Sequence, residues 1–140
     1  MFARLLENEA RELLANGRLA RLGCVLDGGP YVVPINYFVE EDCAYSHSLP
    51  GLKISALREN SNACLQLDQI EDDCHWRSVI AFGRYEEIEN PEERKRILGK
   101  LLERFPMLTP VESAIVNDAA APPIVVYRIR INRITGVAEE

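Results

Sequence analysis

The sequence predicts a mainly β protein, a small antiparallel β-barrel with helices packed outside it. Three observations support this fold class: alternating apolar and polar runs recur along the chain, turn signals separate them, and only short helical stretches interrupt them. Strands this close in sequence pair as antiparallel hairpins, because a parallel pair needs a crossover of a dozen or more residues. A sheet with external helices buries the apolar faces of both kinds of element.

The first segment has helical periodicity. Asn16-Gly17 follows it, and glycine is favoured just past the end of a helix. We therefore expect a helix that begins close to the N-terminus and ends before Gly17. Its apolar residues recur at three- and four-residue spacing on one face: Phe2, Leu5, Leu6, Ala10, Leu13 and Leu14.

Six or seven strands build the predicted barrel. Asp27-Gly28-Gly29-Pro30 is a turn signal between the first two. Pro34 has no N–H group, so it should lie at a sheet edge, at a bulge or where the ladder opens. An acidic loop over Gln69–His75 should follow the fourth strand. The predicted strands are Arg18–Leu26, Tyr31–Val39, Cys43–Ser48, Ala63–Asp68, Trp76–Ile88, Ile124–Ile131 and Ile134–Val137.

Two further helices are predicted between strands. The first covers Leu52–Arg58, with Ile54 and Leu57 on its buried side. Asn90-Pro91-Glu92-Glu93 starts the second, since Asn caps, Pro suits the first turn and acids favour the positive end of the helix dipole. A short helix around Val111–Val116 is a further possibility. The buried face of the second helix comprises Ile97, Leu98, Leu101, Leu102 and Phe105.

Length and composition indicate a single domain over residues 1–140. The net charge of −6 disfavours a general surface for nucleic acid or anionic lipid, although one local basic pocket for a phosphate is compatible with it. No apolar run approaches the roughly 20 residues that span a bilayer, and the charged N-terminal segment lacks a signal-peptide core. We therefore expect a cytoplasmic protein.

The four cysteines are predicted to be reduced thiols. Disulfide frameworks are typical of short secreted chains, and the spacing contains neither a Cys-x-x-Cys pair nor a zinc signature. Cys24, Cys43 and Cys64 lie in or beside strands and should be buried as small apolar residues. Cys74 lies in a polar segment and should be exposed.

A polar strand end followed by a helix start is the first candidate binding site. Ser46-His47-Ser48 ends a predicted strand, and Lys53 stands at the beginning of the next helix. A helix N-terminus presents unpaired N–H groups and positive partial charge, to which Lys53 adds a full charge. With the serine hydroxyls, this combination can hold a phosphate. The alternative is a solvated lysine after an ordinary turn.

His47 has several interpretations from sequence alone. It can donate a hydrogen bond to a cofactor, act as an acid or base, or have a structural role. Metal or haem ligation is disfavoured, because His75 is the other histidine and no acidic residue lies at a spacing that forms a local metal motif with either. No metal site is therefore predicted.

Two further segments are candidates for ligand contact. In Trp76-Arg77-Ser78, the arginine can bind an anionic group and the tryptophan can stack on a flat ring. The alternatives are an ion pair between Arg77 and the acids Glu71-Asp72-Asp73, and a structural role for Trp76 in the core or an interface. In Val33-Pro34-Ile35-Asn36, an opened ladder would free main-chain groups for a ligand; the alternative is a plain edge strand. No Gly-x-Ser-x-Gly, P-loop or Gly-x-Gly-x-x-Gly motif is present.

In this order, the segments resemble the pyridoxamine 5′-phosphate oxidase-like, FMN-binding split-barrel family. Within that family, the chain is most similar to the small flavin-binding proteins related to nitroimidazole-resistance reductases. The likeness covers nearly the whole chain. The segments that carry it are Asn16–Ala20, Gly29–Tyr37, Tyr45–Lys53, Arg58–Asn60, Trp76–Arg84, Val126–Ile129 and Ile134–Gly136.

The resemblance implies a six-stranded antiparallel split barrel and a homodimer with two FMN sites at the subunit interface. It also implies that Lys53 reaches the phosphate and that His47 lies near the flavin ring, where it is the candidate catalytic residue. The other residues that the resemblance assigns to the cofactor are Val33, Pro34, Ile35, Asn36, Ser46, Ser48, Trp76, Arg77 and Ser78.

The chain departs from true pyridoxamine phosphate oxidases, which have arginine and lysine where this sequence has Val33-Pro34-Ile35-Asn36. It also lacks their C-terminal substrate motif, so vitamin B6 oxidation is not expected. The expected function is that of an FMN-dependent oxidoreductase, which passes electrons from a reduced nicotinamide or similar donor to a small acceptor, a nitroaromatic compound by resemblance only. The alternatives are a flavin-binding or sensing protein without turnover, a haem- or deazaflavin-binding relative, and a dimeric barrel without a cofactor.

Overall fold

The computed structural model describes residues 1–106 and 124–140. The predicted short helix at Val111–Val116 lies outside these residues. Within them the chain forms eight strands and three helices. In chain order the elements are β1 (Phe2–Arg4), α1 (Glu7–Asn16), β2 (Leu19–Leu26), β3 (Gly29–Asn36), β4 (Phe38–Glu40), β5 (Cys43–Ser48), α2 (Leu52–Glu59), β6 (Asn62–Asp72), β7 (His75–Glu87), α3 (Pro91–Arg104) and β8 (Val125–Glu139).

The strands join one antiparallel sheet, which confirms the predicted mainly β split-barrel class. Its hydrogen-bonded order is β3-β2-β6-β7-β8-β5-β4, and β1 pairs with the end of β8, so the sheet has eight strands rather than six. β3 and β4 stand at opposite ends of this order but are separated in the chain by Tyr37 alone. One long, bent segment therefore pairs first with β2 and then with β5.

This wrapping leaves a gap in the barrel wall, which we call the seam. β4 pairs with residues 43–45 of β5, whereas β3 pairs with β2. Residues 46–48 of β5 pair with β8 on their other side. The seam is the gap between β3 and residues 46–48, where the described strands share no ladder.

The N-terminal segment differs from the prediction. Phe2–Arg4 is a strand that pairs with residues 137–139 of β8, and the helix begins only at Glu7. Residues 137–139 lie beyond the end of β5, so one edge of β8 is open there and can recruit another strand. The helical spacing of Phe2 and Leu5 is therefore misleading, because a distant sheet edge outweighs the local pattern.

Two long strands replace segments that were predicted to be interrupted. β6 continues through Asp72, and Asp73-Cys74 turns directly into β7, so most of the predicted acidic loop is strand. β8 is one strand where two runs were predicted. Its ladder with β7 shifts register between Phe82 and Gly83, which accommodates the polar residues between the two runs.

The apolar side chains form two clusters. The first fills the barrel interior and includes Leu22 and Leu65; Ile54 and Leu57 of α2 join it, as predicted. The second lies between the sheet and α3 and contains Ile97, Leu101 and neighbouring residues. Three other residues of the predicted α3 face are only half-buried, namely Leu98, Leu102 and Phe105.

The cysteines are free thiols in the structure, as predicted. Cys24 and Cys43 are buried and Cys74 is exposed, as expected, whereas Cys64 is half-buried rather than buried. None of the helices in residues 1–106 and 124–140 has the length and apolar character needed to cross a membrane.

Candidate functional site

β3 forms one wall of the seam, and its hydrogen-bond pattern decides which groups face the gap. The β2–β3 hairpin closes with the two-residue turn Asp27-Gly28, at positive φ, so Leu26 and Gly29 form a hydrogen-bonded pair. Hydrogen-bonded and non-hydrogen-bonded residue pairs then alternate along the hairpin. The Tyr37 N–H donates to the Arg18 carbonyl at 3.2 Å, as this alternation requires. The odd-numbered residues of β3 therefore bond to β2, and the main-chain groups of the even-numbered ones face the seam.

Both prolines of β3 occupy even-numbered positions. Pro30 and Pro34 lack an N–H group, but no hydrogen bond to β2 is lost because these positions face away from β2. Since β3 is the end strand of the sheet order, the prediction that Pro34 lies at a sheet edge is confirmed. The seam edge of β3 presents carbonyl acceptors along its length but N–H donors at Val32 and Asn36 only. Such an edge disfavours pairing with another strand and leaves its polar groups available to a ligand.

The side chains of the predicted segment 33–36 alternate between core and surface. Ile35 is buried in the barrel interior and Val33 packs against the same cluster, whereas Pro34 and Asn36 are exposed. The Asn36 side-chain amide donates to the Arg18 carbonyl at 3.2 Å. In this segment, the main-chain groups that face the seam are those of the even-numbered residues Pro34 and Asn36.

Ser46 bridges the seam from the opposite wall. It is 3% exposed, and its hydroxyl donates to the main-chain carbonyl of Asn36 at 2.7 Å. That carbonyl faces the seam, so a side chain supplies a link that a β3–β5 ladder would otherwise make. Ser48 projects to the same face two residues on, and its hydroxyl donates to the Leu49 carbonyl at 2.8 Å. The structure thus brings Asn36 and Ser46 together, with Ser48 beside them.

His47 lies on the opposite face of β5 from these serines, because side chains alternate along a strand. It shares that face with Cys43 and Tyr45, which pack in the cluster against α3. His47 is half-buried. A ligand that touches Ser46 in the seam would meet His47 only across the edge of β5.

The start of α2 differs in charge and capping from the starts of the other two helices. Gly51 is its N-cap and provides no side-chain acceptor, and its first turn carries Lys53 and no acid. By contrast, Glu9 accepts a bond from the N-cap N–H of α1, and Asn90 accepts bonds from two N–H groups of α3, as predicted. The first N–H groups of α2 therefore receive no side-chain cap from Gly51 and lie next to a lysine, which suits an anion.

Lys53 lies above β2. Burial raises the pKa of the Cys24 thiol, the nearby Cys64 acts in the same direction, and the Lys53 ammonium opposes both. This electrostatic effect places the positive charge of Lys53 within range of the β2 strand, against which α2 packs. Lys53 and Ser48 are five residues apart in the chain, on α2 and β5, which residues 49–51 connect.

Trp76, Arg77 and Ser78 lie elsewhere in the same chain. Ser46 is opposite Tyr127 on β8, whereas Ser78 is opposite Val137, ten residues further along that strand. At the usual rise of a strand this is roughly 33 Å of chain. The two segments are therefore far apart along β8, and in the other direction around the sheet β2 and β6 lie between β3 and β7.

The side chains of this second segment have local partners. Arg77 forms an ion pair with Glu140 at 3.2 Å, rather than with the acids at 71–73. Among those acids, Asp72 pairs instead with His75, at 2.8 Å. Trp76 is half-buried and makes an edge-to-face contact with the exposed ring of Phe2, with centroids 6.3 Å apart. Both side chains of interest remain partly accessible at this end of the barrel.

Sequence reasoning missed one residue next to the seam, Tyr127. It lies directly opposite Ser46 on β8, is completely buried, and its hydroxyl has no hydrogen-bond partner among the described residues. In the sequence it is one member of an alternating apolar run, which predicts burial but not an unpaired hydroxyl. The part of the chain that the structure describes contains no group of three side chains able to hold a metal ion.

Comparison with known proteins identifies related sequences. The sequence model of the pyridoxamine 5′-phosphate oxidase family matches residues 7–138. An uncharacterized protein of Rhizobium meliloti (strain 1021) is 39% identical over 89 residues, which cover 63% of this chain. The match spans 59% of that relative's own length.

Solved structures of similar shape include two that cover the whole of this chain. A FAD-binding protein from Mesorhizobium loti has a TM-score of 0.78 and 30% identity, with 99% of its chain covered. A candidate 5-nitroimidazole antibiotic resistance protein from Bacteroides thetaiotaomicron VPI-5482 has a TM-score of 0.71 and 24% identity, with 93% of its chain covered. The latter likeness is evidence of a common fold alone.

Proposed function

This chain belongs to the pyridoxamine 5′-phosphate oxidase family, and from that premise we propose that it is a flavoprotein that holds FMN along the seam. The observation that carries the proposal is the start of α2. An uncapped helix N-terminus with a lysine and no acid in its first turn provides a phosphate site on a protein whose net charge is −6. Lys53 and the first N–H groups of α2 would hold the phosphate.

The seam suits the ring of such a cofactor. Its β3 edge offers carbonyl acceptors and the N–H donors of Val32 and Asn36, and a flavin ring carries both donors and acceptors on its polar edge. Ser46 adds a hydroxyl at the opposite wall. The residues present therefore match a phosphorylated, flat, hydrogen-bonding ligand.

When bound, a flavin supplies hydride- and electron-transfer chemistry, and the chain supplies binding and orientation. We propose an oxidoreductase that takes electrons from a reduced nicotinamide or a similar donor and passes them to a small acceptor. A nitroaromatic acceptor is included because one protein of the same fold is a candidate nitroimidazole-resistance protein. Oxidation of pyridoxamine 5′-phosphate is not part of the proposal, because Pro34 and Asn36 leave the seam face of β3 without a cation.

A homodimer is part of the same proposal. Trp76, Arg77 and Ser78 lie far along β8 from Ser46 within one chain. A second copy that brings its own 76–78 segment to the seam would unite both sets of residues at a subunit interface. The ion pair between Arg77 and Glu140 is exposed, so exchanging Glu140 for a cofactor phosphate would cost little.

FAD is a second candidate, favoured by the FAD-binding protein from Mesorhizobium loti, which is 30% identical to this chain. Both nucleotides contain the ring and a phosphate, so the start of α2 serves either. Binding of FAD would additionally require space outside the seam for its adenosine monophosphate group.

The test is the visible absorption spectrum of the purified protein before and after incubation with FMN or FAD and desalting. We expect a two-band flavin spectrum, with FMN as the nucleotide that acid releases. Release of FAD instead would identify FAD, the second candidate, as the cofactor. A single intense band near 400 nm would indicate haem, and no chromophore after either incubation would overturn the proposal. With a flavin retained, oxidation of reduced nicotinamide then separates an enzyme from a binding protein without turnover.

A further inference from the structure

The barrel interior contains a hydroxyl that the fold leaves unpaired. Tyr127 is 0% exposed, and its hydroxyl has no hydrogen-bond partner among the described residues. Burial raises the pKa of Tyr127 to about 12, so the phenol is neutral and able to donate near neutral pH. A buried donor without an acceptor destabilises a protein, and native structures contain few of them.

The neighbours of this hydroxyl connect it to the seam. Tyr127 and Ser46 lie directly opposite each other on β8 and β5, with both side chains directed into the barrel. The Ser46 hydroxyl lies near enough to lower the pKa of Tyr127 through a weak hydrogen-bonding contribution, but the two hydroxyls do not reach the geometry of a formed hydrogen bond. Ser46 directs its own proton to the Asn36 carbonyl across the seam, and it retains lone pairs that can accept.

We propose that Tyr127 is a positioning residue for the ligand in the seam. On binding, the Ser46 hydroxyl turns from the Asn36 carbonyl to an acceptor atom of the ligand, and the Tyr127 hydroxyl donates to the Ser46 oxygen. The turn of Ser46 thereby brings its oxygen into hydrogen-bond geometry with the buried phenol, a geometry that the free protein does not have. A chain of two donors polarises the terminal bond, so Tyr127 strengthens the hydrogen bond from Ser46 without touching the ligand. This inference rests on the proposed flavin site.

The structure provides a matched control in Tyr37. It is also 0% exposed, and burial likewise raises its pKa to about 12. Its hydroxyl, however, donates to the Leu14 carbonyl at 2.6 Å and so has a partner in the free protein. The two tyrosines therefore differ in whether removal of the oxygen deletes an existing hydrogen bond.

The experiment compares Tyr127→Phe with Tyr37→Phe by thermal unfolding of the flavin-free protein and by flavin titration. We expect Tyr127→Phe to keep or raise the unfolding midpoint, since it removes an unpaired group, while weakening flavin binding about fivefold or more. Tyr37→Phe should lower the midpoint by about 3 °C or more and leave the flavin Kd unchanged. A midpoint that falls in Tyr127→Phe, or a Kd that stays the same, would overturn the proposal.

A second comparison tests whether Tyr127 acts through Ser46. Ser46→Ala should weaken flavin binding at least as much as Tyr127→Phe, and the double variant should bind no more weakly than Ser46→Ala alone. Additive losses would contradict the relay. If the unchanged protein binds no flavin, the proposed function and this inference fail together; if it binds flavin and Tyr127→Phe binds equally well, only the inference fails.

Discussion

Lys53 is the residue on which the phosphate assignment depends. The chain has 22 acidic and 16 basic residues, so a phosphate needs a local concentration of positive charge. The first turn of α2 supplies it, because Lys53 stands among N–H groups to which the N-cap Gly51 offers no side-chain acceptor. Helices α1 and α3 have acids at the same place, and those acids would repel an anion.

Replacement of this lysine has a measurable consequence. Lys53→Ala should weaken FMN binding by on the order of 1.5–3 kcal/mol, about 10- to 150-fold in Kd, because a charge-assisted contact is lost. The matched control is Lys95→Ala, since Lys95 is exposed on α3 and should leave the Kd as it is. Fluorescence titration of FMN measures both. Equal Kd values in Lys53→Ala and the unchanged protein would move the phosphate away from α2.

At the scale of elements, the ladder between the two longest strands, β7 and β8, contains one irregularity. The register shifts between Phe82 and Gly83. A β-carbon added at Gly83 would lie 2.2 Å from the Arg130 carbonyl oxygen and 2.8 Å from its carbon. These are main-chain atoms of the neighbouring strand, so they cannot move aside as a flexible side chain would.

Gly83→Ala should therefore destabilise the protein by about 1–3 kcal/mol, because the two backbones must separate. Gly99→Ala is the control within a helix: Gly99 lies in α3, and apart from the helix's own backbone no described residue comes within 4 Å of an added β-carbon. That change should stabilise the protein by about 0.5–1 kcal/mol, since alanine favours the helix. Urea unfolding, followed by circular dichroism, measures the change in the free energy of unfolding for both variants. A neutral Gly83→Ala would mean that the strands tolerate a wider spacing at this shift.

At the scale of the whole molecule, the candidate residues belong to two regions of one chain. Asn36, Ser46 and Ser48 lie at the seam, whereas Arg77 and Trp76 lie near the β6–β7 turn, where Arg77 contacts Glu140 and Trp76 contacts Phe2. A homodimer with shared sites would combine a seam from one copy with the 76–78 segment of the other.

Mixed dimers test this sharing. We expect Lys53→Ala and Arg77→Ala each to bind FMN weakly as homodimers. Co-expression with two different tags yields the mixed dimer, in which one site is intact and the other carries both changes. Titration should then recover one site of normal affinity per dimer. No recovered site would mean that Lys53 and Arg77 serve the same-chain site, and a flavin-saturated monomer would exclude sharing altogether.

Most of the fold was predictable because it depends on local pattern. The strands β2, β3 and β5, the hairpin turn after Leu26 and the cap at Asn90 each follow from neighbouring residues, and each is present in the structure. The prediction failed at Phe2–Arg4, which joins the open edge of β8. No local pattern encodes that edge, because β8 is open there only as a result of β5 ending before residues 137–139.

The candidate site divides in the same way. By itself the sequence determined that Ser46, Ser48 and Lys53 stand together at a strand end and a helix start, since these residues are neighbours in the chain. Only the tertiary structure decided that Ser46 bonds to Asn36 across a seam, that His47 faces the other way and that Tyr127 lies unpaired beneath Ser46. Those relations depend on how strands distant in sequence register against one another, and register is fixed by the packing of the whole barrel rather than by any one segment.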